Sequence, residues 1–440
     1  MRKLRDSGLP WLKEIPCNWK NETIRQLMVS RDGGAWGEEP KDESSGTICL
    51  RIADFDYSRG RFKKCSDEDL TRREYTKSQL SRLSLKAGDI LVEKSGGGEK
   101  TPVGRSVYYG GEYGPVLFAN FMERLRFDTT RIDPEYAEYW LRAWYACRCS
   151  SYYINQTTGI QNINLTLMLA KERIFYPSFS EQRKIIDYLD KRCGEIDALT
   201  ADIQTQINTL EQYKRSVITE TVTKGLNPNA EMKDSGIQWV GEIPVHWPVH
   251  PVYSYYGERK NKNRLGKEDN LLSLSYGRVI RKDINTNDGL LPESFNTYNI
   301  VEAGDIIIRP TDLQNDKRSL RTGLVKEHGI ITSAYIDLCP LKQVDSRYFH
   351  FLLHAYDVMK VFYNMGNGVR QGLNYSEFSR LMVFEPPYEE QVAMADYLEI
   401  KVTEVDAIIE QKKEQMAVLD AYKRSLIFEY VTGKKEVPLS

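Results

Sequence analysis

A segment of 43 residues occurs twice in this 440-residue chain and strongly restricts the folds available to it. Residues 181–223, "EQRKIIDYLDKRCGEIDALTADIQTQINTLEQYKRSVITETVT", align without a gap to residues 390–432, and eighteen positions are identical. Neither copy contains proline, and only Gly194 interrupts the helix-forming composition. Both copies are therefore predicted to be helices of roughly 55 to 65 Å at 1.5 Å per residue.

Apolar residues recur in both copies at seven-residue intervals. This row consists of Leu189, Ile196, Ile203, Leu210 and Val217 in the first copy, and of Leu398, Val405, Lys412, Leu419 and Leu426 in the second. The spacing is typical of helices that pack lengthwise against another helix, although Lys412 interrupts the second row. An ordinary pair of bundle helices would show the same periodicity.

A shorter phrase is also duplicated. Residues 6–19, "DSGLPWLKEIPCNW" (the first phrase), recur as residues 234–247, "DSGIQWVGEIPVHW" (the second phrase), with eight of fourteen positions identical. The phrase tryptophans Trp11, Trp19, Trp239 and Trp247 have two readings, packing across helix ends or anchoring a partner, and packing is favoured. Repeats of this kind indicate a chain built from two similar halves.

The segments between phrase and helix are also similar to each other. Each has an A-G-D-I strand signal, at 85–95 and 301–311, where a turn glycine precedes a β-branched run. Each continues with an aromatic helical stretch after an aspartate, a polar glycine loop ("TTGIQNINL" and "GNGVRQGLN"), a short strand and a proline. We interpret these segments as homologous mixed α/β domains.

The order is therefore phrase, domain, helix, repeated once, which predicts an α+β fold. We expect the two long helices to form an antiparallel coiled coil, the halves to be related by a pseudo-twofold, and the chain termini to lie close together. The first phrase would then complete the end of the second helix. The first half is predicted to consist of an N-terminal segment with the first phrase at 1–19, domain 1 at 20–179 and a spacer helix at 180–224. The second half is predicted to consist of a linker with the second phrase at 225–247, domain 2 at 248–388, a spacer helix at 389–433 and a tail at 434–440.

Composition narrows the class of protein. A chain of 440 residues exceeds the ~250 to 300 residues that one hydrophobic core usually supports, so two or more domains are expected. The sequence has no apolar run near the ~18 residues of a membrane helix, and its N-terminus lacks the apolar core of a signal peptide, so a cytoplasmic protein without membrane contact is expected. Seven cysteines without C-x-x-C spacing argue against a disulfide framework and a zinc site.

Net charge is distributed unevenly along the chain. The total is −1, but the two repeated helices carry −2 and −4, so the remainder carries +5. Basic domains on acidic helices are compatible with binding to nucleic-acid phosphates.

The two phrases, the "EQ...DYL...E.DA" helix starts, the "YKRS" helix ends and the A-G-D-I strands resemble the specificity subunits of type I restriction-modification systems. The resemblance extends over nearly the whole chain. It implies a non-catalytic subunit with two target recognition domains, each of which reads one half of a bipartite double-stranded DNA sequence. It also implies long helices that set the half-site separation and dock two methyltransferase subunits. Nuclease and translocase (restriction) subunits complete such an assembly, and S-adenosylmethionine, ATP and Mg are expected on those partners and none on this chain.

Candidate phosphate contacts cluster in both domains. In domain 1 they lie within residues 51–64, which carry +3, and in domain 2 they lie within residues 258–282, which carry +5 and include Tyr276, with Tyr253, Tyr255 and Tyr256 just upstream. The named candidates are Arg51, Arg59, Arg61, Lys63 and Lys64, together with Arg259, Lys260, Lys262 and Arg264. A solvated charged face is the alternative for any single member.

Candidate base-reading residues lie in the loops after the A-G-D-I strands and in the glycine loops. Arg and Lys form hydrogen bonds with guanine, and Asn and Gln with adenine. The candidates are Lys94, Ser95, Arg105, Gln161, Asn162 and Asn164 in domain 1, and Arg309, Thr311, Gln314, Asn315, Arg370, Gln371 and Asn374 in domain 2. The alternative is that the amides serve turns and local caps.

Apparent catalytic motifs are incomplete. "SGGGEKT" (95–101) lacks the glycine before Lys100 that a phosphate loop has, and Phe351 stands where an H-E-x-x-H motif between His350 and His354 needs glutamate. Two other functions remain open: a coiled-coil scaffold whose domains bind protein or carbohydrate, and a self-sufficient restriction enzyme or methyltransferase. The basic clusters favour DNA over protein or carbohydrate, and the incomplete motifs favour a non-catalytic subunit.

Overall fold

The computed structural model describes residues 2–42, 45–63, 66–156, 159–284, 294–311, 313, 320–365 and 372–438. The chain divides into two compact units: unit 1 is Met1–Gln204 with Lys413–Ser440, and unit 2 is Thr205–Lys412. The division falls inside both long helices. In the described residues no helix has the length and apolar character needed to cross a membrane.

Unit 1 contains sixteen described strands, three helices of its own and parts of the two long helices. In chain order its strands are β1 (Leu4–Leu9), β2 (Leu12–Pro16), β3 (Lys20–Thr23), β4 (Met28–Gly33), β5 (Thr47–Leu50), β6 (Phe55–Asp56), β7 (Arg61–Phe62), β8 (Arg72–Arg73), β9 (Asp89–Glu93), β10 (Ser95–Gly96), β11 (Ser106–Tyr109), β12 (Val116–Phe118), β13 (Met122–Phe127), β14 (Ile154–Gln156), β15 (Gln161–Ile163) and β16 (Arg173–Tyr176). Its helices are α1 (Lys77–Leu83), α2 (Pro134–Ala146) and α3 (Leu165–Lys171), followed by α4 (Phe179–Lys224), the central helix.

Unit 2 has twelve described strands and two shorter helices. Its strands are β17 (Met232–Asp234), β18 (Glu242–Pro244), β19 (Val249–Pro251), β20 (Tyr256–Glu258), β21 (Leu272–Ser275), β22 (Arg278–Arg281), β23 (Asn299–Val301), β24 (Ile306–Ile308), β25 (Thr322–Leu324), β26 (Gly329–Ile331), β27 (Ile336–Pro340) and β28 (Met382–Phe384). Its helices are α5 (Ser346–Val358), α6 (Tyr375–Phe378) and then α7 (Tyr388–Val431), the C-terminal helix.

Each unit is built around an antiparallel four-stranded sheet that contains its A-G-D-I strand. The order is β11-β9-β13-β4 in unit 1 and β20-β27-β24-β25 in unit 2. Every residue of β9 is buried, as is every residue of β24, because both faces of these strands are covered. The aromatic helix α2 packs on the first sheet and α5 on the second. The predicted α+β class and the aromatic helices are thus observed.

The A-G-D aspartates have a role that the strand signal alone did not indicate. Asp89 accepts a hydrogen bond from the Lys86 N–H (2.8 Å), and Asp305 accepts one from the Glu302 N–H (2.8 Å). These bonds close the turn that leads into the buried strand, since the short Asx side chain can satisfy a nearby backbone donor. The motif is therefore a strand entry with its own cap.

The long helices run in opposite directions where they contact each other in unit 1. Lys423 donates to Asp197 (2.5 Å), and about two turns further along, Tyr430 donates to Tyr188 (3.2 Å). Residue numbers thus rise on one helix as they fall on the other.

The same direction holds within unit 2. Lys214 forms an ion pair with Asp406 (2.6 Å), and Lys412 donates to Gln206 (2.5 Å). The lysine that interrupts the apolar row therefore has a polar partner on the opposite helix.

The first phrase packs against the end of the C-terminal helix in unit 1. Gly433, just beyond that helix, lies against Pro16 and Trp19. Arg2 forms an ion pair with Glu436 (2.9 Å), so the expectation that the termini lie close together is confirmed. The Tyr136 hydroxyl donates to the Val431 carbonyl (2.7 Å) and fixes the helix end to α2.

Unit 2 makes the corresponding contacts at the end of the central helix. Gly225 lies against Trp247, and the Tyr348 hydroxyl donates to the Val222 carbonyl (3.2 Å). The two helix starts also match: Gln182 accepts from the Asp133 N–H (2.8 Å), and Gln391 accepts from the Asp345 N–H (2.9 Å). Duplicated sequence thus makes duplicated contacts.

Packing is the role of the phrase tryptophans in the described structure. Trp19 and Trp247 are buried, and Trp11 meets Trp140 edge-to-face at 5.5 Å. Trp239 is 41% exposed but contacts Tyr356 edge-to-face at 5.9 Å. The favoured packing interpretation agrees with these contacts.

One expectation from the sequence needs correction. Gln161 and Asn162 do not lie in a loop, because β15 pairs with β14 on one side and with β10 on the other. A buried base, Lys423 of the "YKRS" end, has partners that the sequence did not indicate. It is 4% exposed and donates to Asp197 and to the Ser58 carbonyl (2.6 Å).

Candidate nucleic-acid interface

Three backbone segments meet at one end of the unit 1 sheet, where β9 ends and β13 begins. The N–H groups of Lys94 and Ser95 both point to the Phe121 carbonyl (2.8 and 3.3 Å), and the Ser95 hydroxyl donates to Asn162 (2.6 Å). Phe121 is 52% exposed. The half-exposed Lys94 ammonium has no hydrogen bond or ion pair with the residues that the structure describes, so it is available to an external anion.

Arg105 lies beside this edge but is held by an acid. Its guanidinium makes two hydrogen bonds to the buried Glu93 carboxylate (2.9 and 2.7 Å) and stacks 3.6 Å from the centre of the Tyr57 ring. A bidentate pair of this kind orients the arginine strongly. Arg105 therefore supports the strand end in this structure.

The amides of the second strand pair have local partners. Gln161 is buried and accepts a hydrogen bond from the Val103 N–H (3.2 Å), whereas Asn162 is exposed beside Ser95. Asn164 caps α3 by accepting from the Leu167 N–H (3.0 Å). Asn162 is thus the amide of this group that faces solvent without serving the backbone.

The basic cluster of residues 51–64 is largely neutralised by nearby acids. Arg51 pairs with Asp54 at 3.1 Å and Arg61 with Glu135 at 3.0 Å, while Arg59 is half exposed and lies 3.8 Å from Asp197. Lys63 donates to the Ala53 carbonyl (2.6 Å), and Lys64 lies outside the described residues. Nearby acids therefore offset much of the positive charge that the sequence shows for this cluster.

A recess of about 540 Å³ in unit 1 brings together bases that are far apart in the sequence. Its basic lining residues are Lys100, Arg105, Arg142, Arg148, Lys423 and Arg424. Asp420 is the acid of the lining, and it pairs with Arg424. Arg148 adopts a left-handed backbone conformation (φ 60°) at the end of α2. The sequence signal for this recess is the "YKRS" end, which supplies Lys423 and Arg424 to the lining.

In unit 2 the first base of the cluster is tied to the A-G-D aspartate. Arg259 makes two hydrogen bonds to Asp305 (2.8 and 3.1 Å) and lies 3.9 Å from Asp337. Burial, followed by the charge of Asp305, raises the pKa of Asp337 to about 8. Unit 1 has the same arrangement, since Arg126 binds Asp89 through two hydrogen bonds (2.6 and 2.7 Å). Arg259 is therefore part of the domain's framework.

The remaining bases of this cluster are more accessible. Lys260 is 71% exposed and pairs with Glu258 (2.9 Å), and Lys262 donates to the Thr297 carbonyl (3.1 Å). Arg264 is exposed, and its side chain has no partner among the described residues. Like Lys94 in unit 1, it is available to an external anion.

The predicted readers after β24 are only partly described. Arg309 is half exposed, and Thr311 is exposed with its carbonyl bound by Arg321 (2.6 Å). Asn374 caps α6 by accepting from the Glu377 N–H (3.0 Å). Four candidates lie outside the described residues: Gln314, Asn315, Arg370 and Gln371.

The tyrosines in and beside the second cluster divide into two kinds. Tyr255 and Tyr256 are fully buried, whereas Tyr253 is 55% and Tyr276 is 88% exposed. Sequence spacing did not distinguish them, because burial depends on where each one lies in the fold: Tyr256 begins β20, whereas Tyr276 is at the tip of the β21–β22 hairpin.

The incomplete catalytic motifs have structural explanations. In "SGGGEKT", Ser95 and Gly96 form a strand and no helix follows within the described segment. Burial lowers the pKa of His350 to about 3 and that of His354 to about 4, so both are neutral side chains packed in unit 2. Among the described residues no cluster of three or more His, Cys, Asp or Glu could hold a metal ion.

The geometry describes a protein with two exposed, partly basic domain surfaces. Similarity to known proteins identifies the class of protein more closely. No protein family model matches the chain. It is 23% identical over 436 residues to the "Putative type I restriction enzyme MjaX specificity subunit" of Methanocaldococcus jannaschii, an alignment that covers 96% of this chain and 95% of that protein. It is 24% identical over 311 residues to the "Type I restriction enzyme MjaVIII specificity subunit" of the same organism, covering 65% and 68% of the two chains.

A solved structure has the same fold. A chain from a study of complex assembly and conformational transition of the type I R-M system superposes with a TM-score of 0.68 over 96% of this chain and 99% of that one, at 12% identity. These relatives confirm the resemblance that the phrases and helices indicated. The chain is a homologue of type I restriction enzyme specificity subunits, which are the non-catalytic components of their systems.

Proposed function

We propose that this chain is the DNA sequence-specificity subunit of a type I restriction-modification complex, and that it reads a bipartite double-stranded target with residues 20–179 and 248–388. The observation that carries the proposal is the duplicated set of contacts around each phrase. Trp19 with Gly433 in unit 1 corresponds to Trp247 with Gly225 in unit 2. Such duplication attaches two similar domains to the long helices in an equivalent way, as a reader of two half-sites requires.

The long helices suit the role of a spacer. The central helix has 46 residues, which correspond to ~69 Å at 1.5 Å per residue. Two readers on one face of a duplex need a separation of about one helical turn, ~34 Å, or a multiple of it. A coiled coil with pseudo-twofold related domains, as expected from the sequence, would fix that separation better than loops.

Exposed apolar residues on the long helices support docking of partner subunits. In unit 1 Leu199 is 55% and Val418 67% exposed, and in unit 2 Tyr213 is 51% and Ile400 60% exposed. Exposed apolar side chains mark protein interfaces when they form a contiguous patch. We propose that two methyltransferase subunits cover them and that restriction subunits join the same assembly. In this proposal S-adenosylmethionine, ATP and Mg bind to those partners, and the complex acts on cytoplasmic DNA.

Availability for DNA differs among the candidate residues. Lys94, Asn162 and Arg264 are the strongest candidates, because their side chains are accessible and do not hold the fold together. The framework arginines Arg105 and Arg259 are weaker ones, since buried carboxylates bind them. Phosphate contacts position a protein, and base contacts specify the sequence.

Methylation mapping tests the proposal. We expect the chain, co-expressed with a type I methyltransferase subunit that assembles with it, to methylate a motif of two half-sites separated by unspecified bases. Replacing residues 20–179 by those of a relative should change one half-site only. A continuous motif, or a change in both half-sites, would contradict the two-reader model. The chain purified alone should neither methylate nor cleave DNA, and activity from it would favour the self-sufficient enzyme.

A further inference from the structure

Tyr276 occupies an unusual place at the tip of a hairpin in unit 2. Strands β21 and β22 pair from Ser275 to Arg278, so the connecting loop has two residues, Tyr276 and Gly277. Both have positive φ, 47° and 78°. A two-residue loop of this kind is a type I′ turn, in which Asn or Gly is strongly preferred at the first position.

A tyrosine at this position is unfavourable for the fold. A residue with a Cβ loses about 1 kcal/mol or more in the left-handed region. Its side chain does not recover this by burial, because Tyr276 is 88% exposed. Backbone strain that packing does not explain is concentrated at functional sites.

Side chains of unit 2 pack against the turn and the two strands that lead to it, so the Tyr276 ring is held at a defined position. Gly277 packs against Leu320 and His354, and Leu274 and Val279 pack against Gly323 of the central sheet. Because the turn is already rigid, little conformational entropy is lost when its exposed side chain binds a ligand.

The surroundings of the tip are basic. Arg278, 71% exposed, and Lys214 of the central helix both bind Asp406, so that acid is matched by two bases. Arg281 and Lys282 follow in the chain and are exposed. An exposed aromatic ring among bases fits nucleic acid better than an apolar protein surface, because arginine and lysine neutralise phosphates while the ring packs on sugars and bases.

We propose that Tyr276 is a DNA contact residue that inserts its ring into a groove of the duplex next to the half-site read by domain 2. This inference rests on the proposed function and names a residue that the A-G-D-I and glycine-loop candidates do not include. It also explains why the turn lacks the Asn that would suit it better.

The test compares Tyr276→Asn with Tyr276→Phe, and uses Tyr253→Asn as a control at another exposed tyrosine of unit 2 that has ordinary backbone geometry. Each variant of the full chain is purified with its methyltransferase subunit. Affinity is measured for a duplex that contains the mapped motif, and stability is measured by urea denaturation. We expect Tyr276→Asn to raise the urea midpoint and to weaken DNA binding roughly tenfold, the scale of one lost side-chain contact with the duplex. Tyr276→Phe should keep most of the affinity, and Tyr253→Asn should change neither property.

Three outcomes would contradict this. Unchanged affinity of Tyr276→Asn, with a wild-type complex that binds the duplex, overturns the role of Tyr276 and leaves the proposed function intact. Loss of co-purification with the methyltransferase would show that the ring contacts protein and would overturn the DNA assignment. If the wild-type complex itself does not bind the duplex, the proposed function fails and this inference fails with it.

Discussion

At the scale of single residues, Glu138 of α2 is the least favourably placed acid described in unit 1. It is 0% exposed, and neither carboxylate oxygen has a hydrogen-bond partner. Arg142 and Arg61 approach it only to 3.7 and 3.8 Å. Burial outweighs these two charges and raises the pKa of Glu138 from its ordinary 4.5 to about 7. A buried charge that is poorly paired costs more in desolvation than its partners return.

The raised pKa fixes the sign of a pH effect. In the unfolded chain Glu138 loses its proton near pH 4.5, whereas in the folded chain it keeps the proton up to about pH 7. The contribution of Glu138 to the free energy of unfolding is therefore fully present below pH 4.5. It is lost as the pH rises toward 7, by about 1.4 kcal/mol per pH unit. Glu138→Gln should remove this loss. We expect its free energy of unfolding, relative to the wild type, to rise by roughly 3 kcal/mol between pH 4.5 and pH 7.

Urea denaturation followed by tryptophan fluorescence measures this difference, because Trp140 and Trp144 lie in the same helix as Glu138. Glu135→Gln is the matched control: Glu135 pairs with Arg61 (3.0 Å) and Arg183 (2.9 Å), so its removal should destabilise the chain at pH 7. A gain for Glu138→Gln that does not vary with pH would rule out the assignment.

The sequence identified which residues are basic, but not which of their side chains are accessible to DNA. Arg105 and Arg259 were reasonable DNA contacts from the sequence, yet each is bound by an acid, Glu93 or Asp305, that is distant in the chain. Which carboxylate lies beside which arginine is decided by strand register, which is a non-local property. Lys94 looked equivalent in the sequence and has no such partner among the described residues.

At the scale of elements, the long helices could be predicted because helix signals are local. Composition, absence of proline and seven-residue periodicity all lie within the segment itself. The pair β10 and β15 was missed for the opposite reason, since Ser95 pairs with Asn162, 67 positions away. A two-residue and a three-residue strand give almost no periodicity to read.

The junction between helix and phrase gives a prediction at this scale. Gly433 has φ +73°, and a Cβ placed there would lie 2.6 Å from Pro16 and 2.9 Å from Trp19. Gly241 has nearly the same φ, +72°, but no atom within 4 Å of such a Cβ. Gly241→Ala should therefore cost only backbone strain, about 1 kcal/mol. Gly433→Ala should cost roughly 3 kcal/mol, because it also separates the phrase from the helix end. Equal losses in urea denaturation would show that the phrase does not pack tightly there.

At the scale of the whole molecule, the two phrases differ in how they are attached. The second phrase follows the central helix directly in the chain, through residues 225–233. The first phrase reaches the end of the C-terminal helix without a covalent link, through Gly433 with Trp19 and the ion pair between Arg2 and Glu436. In unit 1 the phrase thus packs on the helix end without a covalent link. A cut between helix and phrase in unit 2 would create the same situation there.

A circular permutant follows from this comparison. Joining Ser440 to Met1 by a short linker and opening the chain at Asn227–Ala230 should give a soluble protein that still assembles with the methyltransferase. The second phrase can then rely on Trp247 against Gly225, on the hydrogen bond from Trp247 to Glu390 (3.0 Å) and on the pairing of β17 with β18. A permutant opened inside the central helix, between Thr205 and Gln206, is the control and should lose assembly, because the cut interrupts the spacer. Size-exclusion chromatography with the methyltransferase distinguishes the two. If the first permutant is soluble but does not assemble, the phrase needs its covalent link in unit 2, and the equivalence of the halves does not extend to their junctions.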